Sequence, residues 1–109
     1  LLNLAAKTVM LKVYFELEEF DLLDAHLGAM RTFIRRKKMI GYHQENYVNL
    51  IQFTRKLMEC NPYDRKEKEQ LRREIEETKV VAEKGWLLEV GVKWALFLVN
   101  TLSFSVKLA

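Results

Sequence analysis

The chain has 109 residues, half of them apolar and 30% charged, with a formal net charge of +3. This composition is typical of one globular domain and excludes an intrinsically disordered chain. The net charge is too small to indicate a nucleic-acid or membrane partner by itself. The whole chain contains only four Gly and one Pro, fewer than the turns of a β-rich fold usually require, so the composition favours long helices.

The ends of the chain and its cysteine content suggest where it comes from. Cys60 is the single cysteine, so no internal disulfide can form, and a lone thiol favours a reducing compartment such as the cytoplasm. The sequence begins Leu1-Leu2-Asn3, with neither Met nor the pattern of a signal peptide. We therefore expect a piece of a longer protein. No transmembrane helix is expected, because no run of about 18 apolar residues occurs.

Two helices are predicted in the first third of the chain. Apolar residues at three- and four-residue spacing predict a helix over residues 2–18. Asp21 is a plausible N-cap for a second helix over 22–38. The basic run 35–38 in its last turn suits the negative end of the helix dipole, and Gly41 is a candidate stop signal beyond it.

A third and a fourth helix follow. The third is predicted from an i, i+3, i+4, i+7 rhythm of apolar residues and ends at Asn61-Pro62, because proline interrupts a helix. Asp64 and Glu67 have the spacing of a capping box, which predicts a fourth helix from Arg65 to Lys84. The third helix carries Tyr47, Leu50, Ile51, Thr54, Leu57 and Met58, and the fourth carries a narrow stripe of Leu71, Ile75, Thr78 and Ala82.

The sequence changes character from Gly85 onward. It becomes nearly all apolar without a clear amphipathic period, and residues 100–106 alternate polar and apolar as a strand would. We consider three placements: a fifth helix that caps the fold, the interface of a homodimer or domain swap, or a membrane-surface segment, which the lack of a basic face disfavours. The self-association residues would be Trp86, Trp94, Phe97 and Leu98. Residues 107–109 are interpreted as a cloning remnant.

The stretch from Tyr14 to Met30 resembles a degenerate tetratricopeptide repeat, a family that alternates helices A and B in units of about 34 residues. Tyr14 stands at the aromatic position of helix A and Phe20 at the turn aromatic, while Leu23, Leu27 and Met30 take the packing positions of helix B. The second pair of helices, over 43–84, has a similar outline with Tyr63 in the place of Phe20.

The resemblance implies an all-α fold: two antiparallel helical hairpins in a right-handed stack over residues 1–84. Residues 85–109 would then pack on this module or on a second copy, and a generic four- or five-helix bundle is the alternative. In the family, one face of the A helices lines a groove that holds extended peptides. Carried over position by position, the partner-binding residues are Thr8, Lys12, Phe15, Glu16 and Arg55.

The reactive residue types do not form a recognisable catalytic or metal site. His26 and His43 lack metal-ligand spacing and lie far from Cys60 in the sequence. Cys60 falls at a helix C-terminus, where the dipole raises the pKa of a thiol. The chain also lacks a glycine-rich phosphate loop. We expect no catalysis, no cofactor and no small-molecule substrate.

The favoured interpretation is a non-catalytic protein-interaction or scaffolding module with a protein or peptide partner. One alternative is a self-associating helical piece that dimerises through its C-terminal segment. The other is a nucleic-acid-contacting adaptor that uses Arg31 and the basic run 35–38, although the position of that run at a helix end already accounts for it.

Overall fold

The computed structural model describes residues 3–39, 41–61 and 63–90. Four helices have defined bounds, α1 (Leu4–Glu16), α2 (Phe20–Arg36), α3 (Gly41–Glu59) and α4 (Arg65–Glu77). Residues 84–90 are also helical, and the described residues contain no strand. The predicted all-α class is confirmed.

Helix α1 begins where Asn3 accepts a hydrogen bond from the Ala6 N–H at 2.9 Å, an N-cap that satisfies an otherwise unpaired donor. It ends in a Schellman motif, in which the Glu18 N–H donates to Phe15 O and the Glu19 N–H to Tyr14 O. Glu18 takes the left-handed conformation, with φ +59°. The turn between α1 and α2 therefore occupies residues 17–19.

Helix α2 begins and ends earlier than the sequence predicts. Its N-cap is Glu19 without a side-chain hydrogen bond, so the prediction of Asp21 as N-cap is wrong; Asp21 lies in the first turn, where its carboxylate meets the positive end of the dipole. Lys38 (φ +52°) closes a second Schellman motif, so Gly41 is not the stop signal. Gly41 instead begins α3, with φ +64°.

Consecutive helices pack against one another in chain order, α1 on α2, α2 on α3 and α3 on α4. His26 links the first pair: its Nε2–H donates to Lys7 O at 2.7 Å, and its ring meets the Tyr14 ring edge-on. The core contains mostly aliphatic side chains from every helix, namely Leu11, Phe15, Leu23, Leu27, Met30, Ile34, Leu50, Ile51, Phe53, Leu71, Ile75 and Leu87.

The fourth helix is shorter than predicted. It starts at the expected N-cap, where Asp64 Oδ1 accepts from the N–H groups of Lys66 and Glu67. It ends at Glu77 and not at Lys84, because Thr78 turns to an extended conformation. The Lys84 ammonium then donates to Glu76 O and Thr78 O, which satisfies carbonyls at the helix end.

Residues 78–83 form an irregular segment of bends and turns that crosses from α4 back to α1 and α3. The Ala82 N–H donates to Asn46 O at 3.1 Å, and the Asn49 amide donates to Val80 O at 2.8 Å. These bonds hold the crossing on α3. Residues 84–90 then lie against the core, where Leu87 is fully buried. The described part of the predicted C-terminal unit, 85–90, thus packs on the helical module.

Candidate functional site

The predicted partner-binding residues on α1 fall into two groups. Thr8 is buried and its hydroxyl donates to Leu4 O at 2.8 Å, while Phe15 is only 1% exposed. Phe15 meets Phe20 and Trp86 edge-on, at centroid distances of 5.8 and 5.6 Å. Thr8 and Phe15 therefore serve the core, and a partner would not reach Phe15 without displacing Trp86.

The two charged residues of the predicted set on α1, Lys12 and Glu16, lie nearer to solvent. The Lys12 ammonium pairs with the Glu83 carboxylate at 2.9 Å, so the crossing 78–83 covers this part of the helix. Glu16 is exposed. That these α1 positions bind a partner stays a prediction.

Arg55 lines a different surface, a shallow groove between α2 and α3. The groove has a volume of about 250 Å³, and Ile51, which is almost fully buried, contributes to its apolar lining. Arg31 of α2 and Lys56 of α3 also line it, together with Gln52 and Glu59. The structure therefore brings three cationic side chains together around one apolar depression.

Two of the three cations already have acidic partners. Arg55 forms an ion pair with Asp24, and Lys56 pairs with Glu74 at 3.4 Å. All four side chains of these pairs are more than one third exposed, so each pair adds little to stability and can exchange for another carboxylate. Arg31 is exposed and forms no ion pair within the described part of the chain.

Sequence reasoning missed the groove as a unit, although it singled out Arg31 and Arg55 separately. Gln52, Lys56 and Glu59 carried a weak signal, since residues three and four apart project from the same side of a helix. Arg31 joins these α3 residues only because α2 packs on α3. The periodicity within a single helix does not reveal how two helices pack.

Of the four residues predicted for self-association, Trp86 alone lies in the described part of the chain. Trp86 is partly buried against Phe15, and its indole Nε1–H is buried without a hydrogen-bond acceptor among the described residues. Trp94, Phe97 and Leu98 lie outside the described residues, as do the alternating segment 100–106 and the interpreted remnant 107–109.

The reactive side chains are engaged in structural roles. Burial, together with the nearby Glu67 carboxylate, raises the pKa of the Cys60 thiol, whose S–H donates to Asn61 O. Burial also lowers the pKa of the neighbouring Lys68. A raised pKa reduces the thiolate fraction that a nucleophile needs. Within residues 3–39, 41–61 and 63–90, no group of three or more His, Cys, Asp or Glu could hold a metal ion.

None of the helices in the described part of the chain is long and apolar enough to cross a membrane. No protein-family model matches the chain, and no curated protein or solved structure is significantly similar to it. The resemblance to tetratricopeptide repeats thus remains a prediction from the residues that carry it.

Proposed function

We propose that this chain is a non-catalytic protein-interaction or scaffolding module, built as two antiparallel helical hairpins that resemble a tetratricopeptide stack. It binds a partner segment on the surface of its third helix, where Arg55 was predicted to make contact. The observation that carries this proposal is the groove between α2 and α3, because it combines an apolar lining with three cations. Protein-recognition surfaces commonly combine apolar burial at the centre with charge at the rim.

The chemistry of the groove selects one kind of partner. Ile51 closes the floor of the groove but is only 2% exposed, so the aliphatic stems of the lining side chains offer the surface for an apolar group. Arg31, Arg55 and Lys56 offer donors for carboxylates. Arginine binds carboxylates through paired, charge-assisted hydrogen bonds. The partner we propose is therefore a peptide segment with an apolar anchor beside one or two acidic residues.

A peptide selection tests this proposal directly. The immobilised full chain is challenged with a display library of random short peptides, and enriched peptides are measured by fluorescence anisotropy. We expect enriched sequences to combine Asp or Glu with Leu, Ile or Phe. For such peptides Arg31→Gln should weaken binding about five- to tenfold, since it removes one charge-assisted contact worth about 1 to 1.4 kcal/mol.

Two further variants make the result specific. Arg36→Gln removes the same charge from an exposed position in the last turn of α2, outside the groove lining, and should leave the affinity unchanged. Asp24→Asn releases Arg55 from its ion pair and should tighten binding. Enrichment of basic peptides, or equal affinities of the Arg31→Gln variant and the original chain, would contradict the proposed groove.

A second candidate function rests on the basic run at the end of α2. Arg35, Arg36, Lys37 and Lys38 are all exposed, and none forms an ion pair in the described part of the chain. Such a cluster favours contact with nucleic-acid phosphates. Titration with duplex and single-stranded DNA and RNA at low salt decides the matter, and no binding there would eliminate this candidate.

A further inference from the structure

The side of α2 that borders the groove is acidic at one end and basic at the other. Asp24 forms an ion pair with Arg55 of α3, and Arg31 lines the groove together with residues of α3, so both project toward α3. Arg35 follows Arg31 by four residues and therefore lies on the same side of the helix, one turn closer to its C-terminus. Two arginines thus follow the groove away from Asp24.

The neighbouring cations at the end of α2 project in other directions. The Lys37 ammonium lies over the Phe33 ring at 5.7 Å, and a lysine of α1 lies over the same ring, so Lys37 belongs to the α1 side. Arg36 follows Arg31 by five residues, about 140° round the helix, and therefore points away from the groove. Of the two arginines in the basic run, Arg35 alone borders the groove side of α2.

Arg31 and Arg35 are the cations on this side that are available to a ligand. Both are exposed, and neither forms an ion pair within the described residues. The two cations of α3 that line the groove, in contrast, are paired with carboxylates. The dipole of α2 favours cations near its C-terminus, but it does not compensate their formal charge. A carboxylate ligand therefore finds its unpaired partners along α2.

The separation of the two arginines sets the separation of the carboxylates that can bind them. Residues four apart on a helix are about 6 Å apart along its axis. An extended peptide rises about 3.3 Å per residue and directs alternate side chains to one side, so residues two apart span about the same distance. The groove, with a volume of about 250 Å³, is too small to enclose a helix of about 10 to 12 Å diameter. An extended segment therefore fits better than a helix.

We propose that the partner is an extended peptide with an apolar anchor in the groove and, on one side of the anchor, two acidic residues separated by a single residue. Arg31 binds the acidic residue nearer to the anchor, and Arg35 binds the outer one. Acidic residues on the other side are disfavoured, because Asp24 and the groove-lining Glu59 lie toward that end. This inference rests on the proposed function and adds to it a second arginine and the spacing of the acidic pair.

A defined peptide library tests the spacing. Its members contain one Leu and two Asp residues, with the two Asp held at every separation up to about five residues and all other positions random. The immobilised full chain is challenged with this library, and the separations are counted before and after selection. We expect enrichment of peptides in which the two Asp residues are two apart and lie on the same side of Leu.

A double-mutant cycle between chain and peptide tests the role of Arg35. The probe is the most enriched library peptide, labelled with fluorescein and measured by anisotropy. Arg35→Gln should weaken its binding about three- to fivefold, and should have no further effect once the outer Asp is replaced by Asn. Arg36→Gln is the matched control, since it removes the same charge from another side of α2 and should leave the affinity unchanged.

The outcomes separate this inference from the proposed function. If Arg31→Gln weakens binding and Arg35→Gln does not, the groove stands and the acidic pair is wrong; if neither has an effect, the groove is wrong as well. Enrichment of Asp residues four apart would indicate a helical partner and overturn the proposal. Binding of single-stranded RNA at low salt, weakened equally by Arg35→Gln and Arg36→Gln, would assign the basic run to phosphate contact and also overturn it.

Discussion

Cys60 lies just beyond the C-terminal end of α3, among side chains that make its thiolate unfavourable. Burial is the largest cause of its raised pKa, followed by the charge of Glu67, while the Lys68 ammonium opposes the shift. The sequence predicted the direction from the helix end alone. The structure adds two causes that the helix end does not reveal. Packing buries the thiol, and α4 brings the Glu67 carboxylate close to it.

The pKa of the Cys60 thiol can be measured by following its alkylation as a function of pH. In the folded protein we expect the midpoint of iodoacetamide labelling to lie above the ordinary thiol pKa, and to return to it in denaturant. Glu67→Gln should lower the midpoint, because it removes a negative charge that opposes ionisation of Cys60. Glu77→Gln, at the far end of α4, serves as the control. A folded-state midpoint at or below the ordinary value would contradict the burial of this thiol.

At the scale of the helices, the sequence predicted some helix ends correctly and others wrongly, and the capping contacts explain the difference. Asp64 caps α4 as predicted, since its carboxylate accepts from the N–H groups two and three residues on. The turns before and after α2 were placed less well, because Glu18 and Lys38 take the left-handed conformation that usually favours Gly or Asn. Without a glycine at either position, the sequence shows no sign of these Schellman motifs.

The contribution of the Asp64 N-cap to the free energy of unfolding can be measured. Asp64→Ala should lower the free energy of unfolding by about 1 kcal/mol, because two backbone N–H groups at the start of α4 lose their acceptor. Asp64→Asn retains an acceptor oxygen and should cost much less. Urea denaturation followed by circular dichroism compares the two. Equal losses for both substitutions would show that charge, and not the hydrogen bond, stabilises the helix start.

For the molecule as a whole, the most informative feature is the return of residues 78–90 to the first helix. On the α1 side the segment is held by the Lys12–Glu83 ion pair and by the edge-on rings of Phe15 and Trp86, and Leu87 is fully buried in the core. The segment contacts Lys12 and Phe15, two of the α1 residues that the resemblance assigned to partner binding. Recognition through the core-facing residues of α1 would thus compete with folding, whereas the groove around Arg55 remains open.

Truncation of Leu87 tests whether this segment belongs to the core. Leu87 is fully buried, so Leu87→Ala should lower the free energy of unfolding by about 2 to 5 kcal/mol. Leu22→Ala is the matched control, because Leu22 is 52% exposed and its truncation should change stability by less than about 0.5 kcal/mol. Thermal denaturation of both variants gives the comparison. A change at Leu87 as small as that at Leu22 would mean that residues 84–90 are not part of the cooperative unit.

The sequence by itself determined the helical class, the four helices in approximate position and the apolar stripes that form the core. These features follow from local periodicity, caps and the one proline, all of which act within a few residues. Only the tertiary structure decided that α4 stops at Glu77, that Phe15 packs against Trp86, and that Arg31 and Arg55 line the same groove. Each of these depends on contacts between residues distant in the chain, and the face a helix leaves exposed is known only once its neighbours are in place.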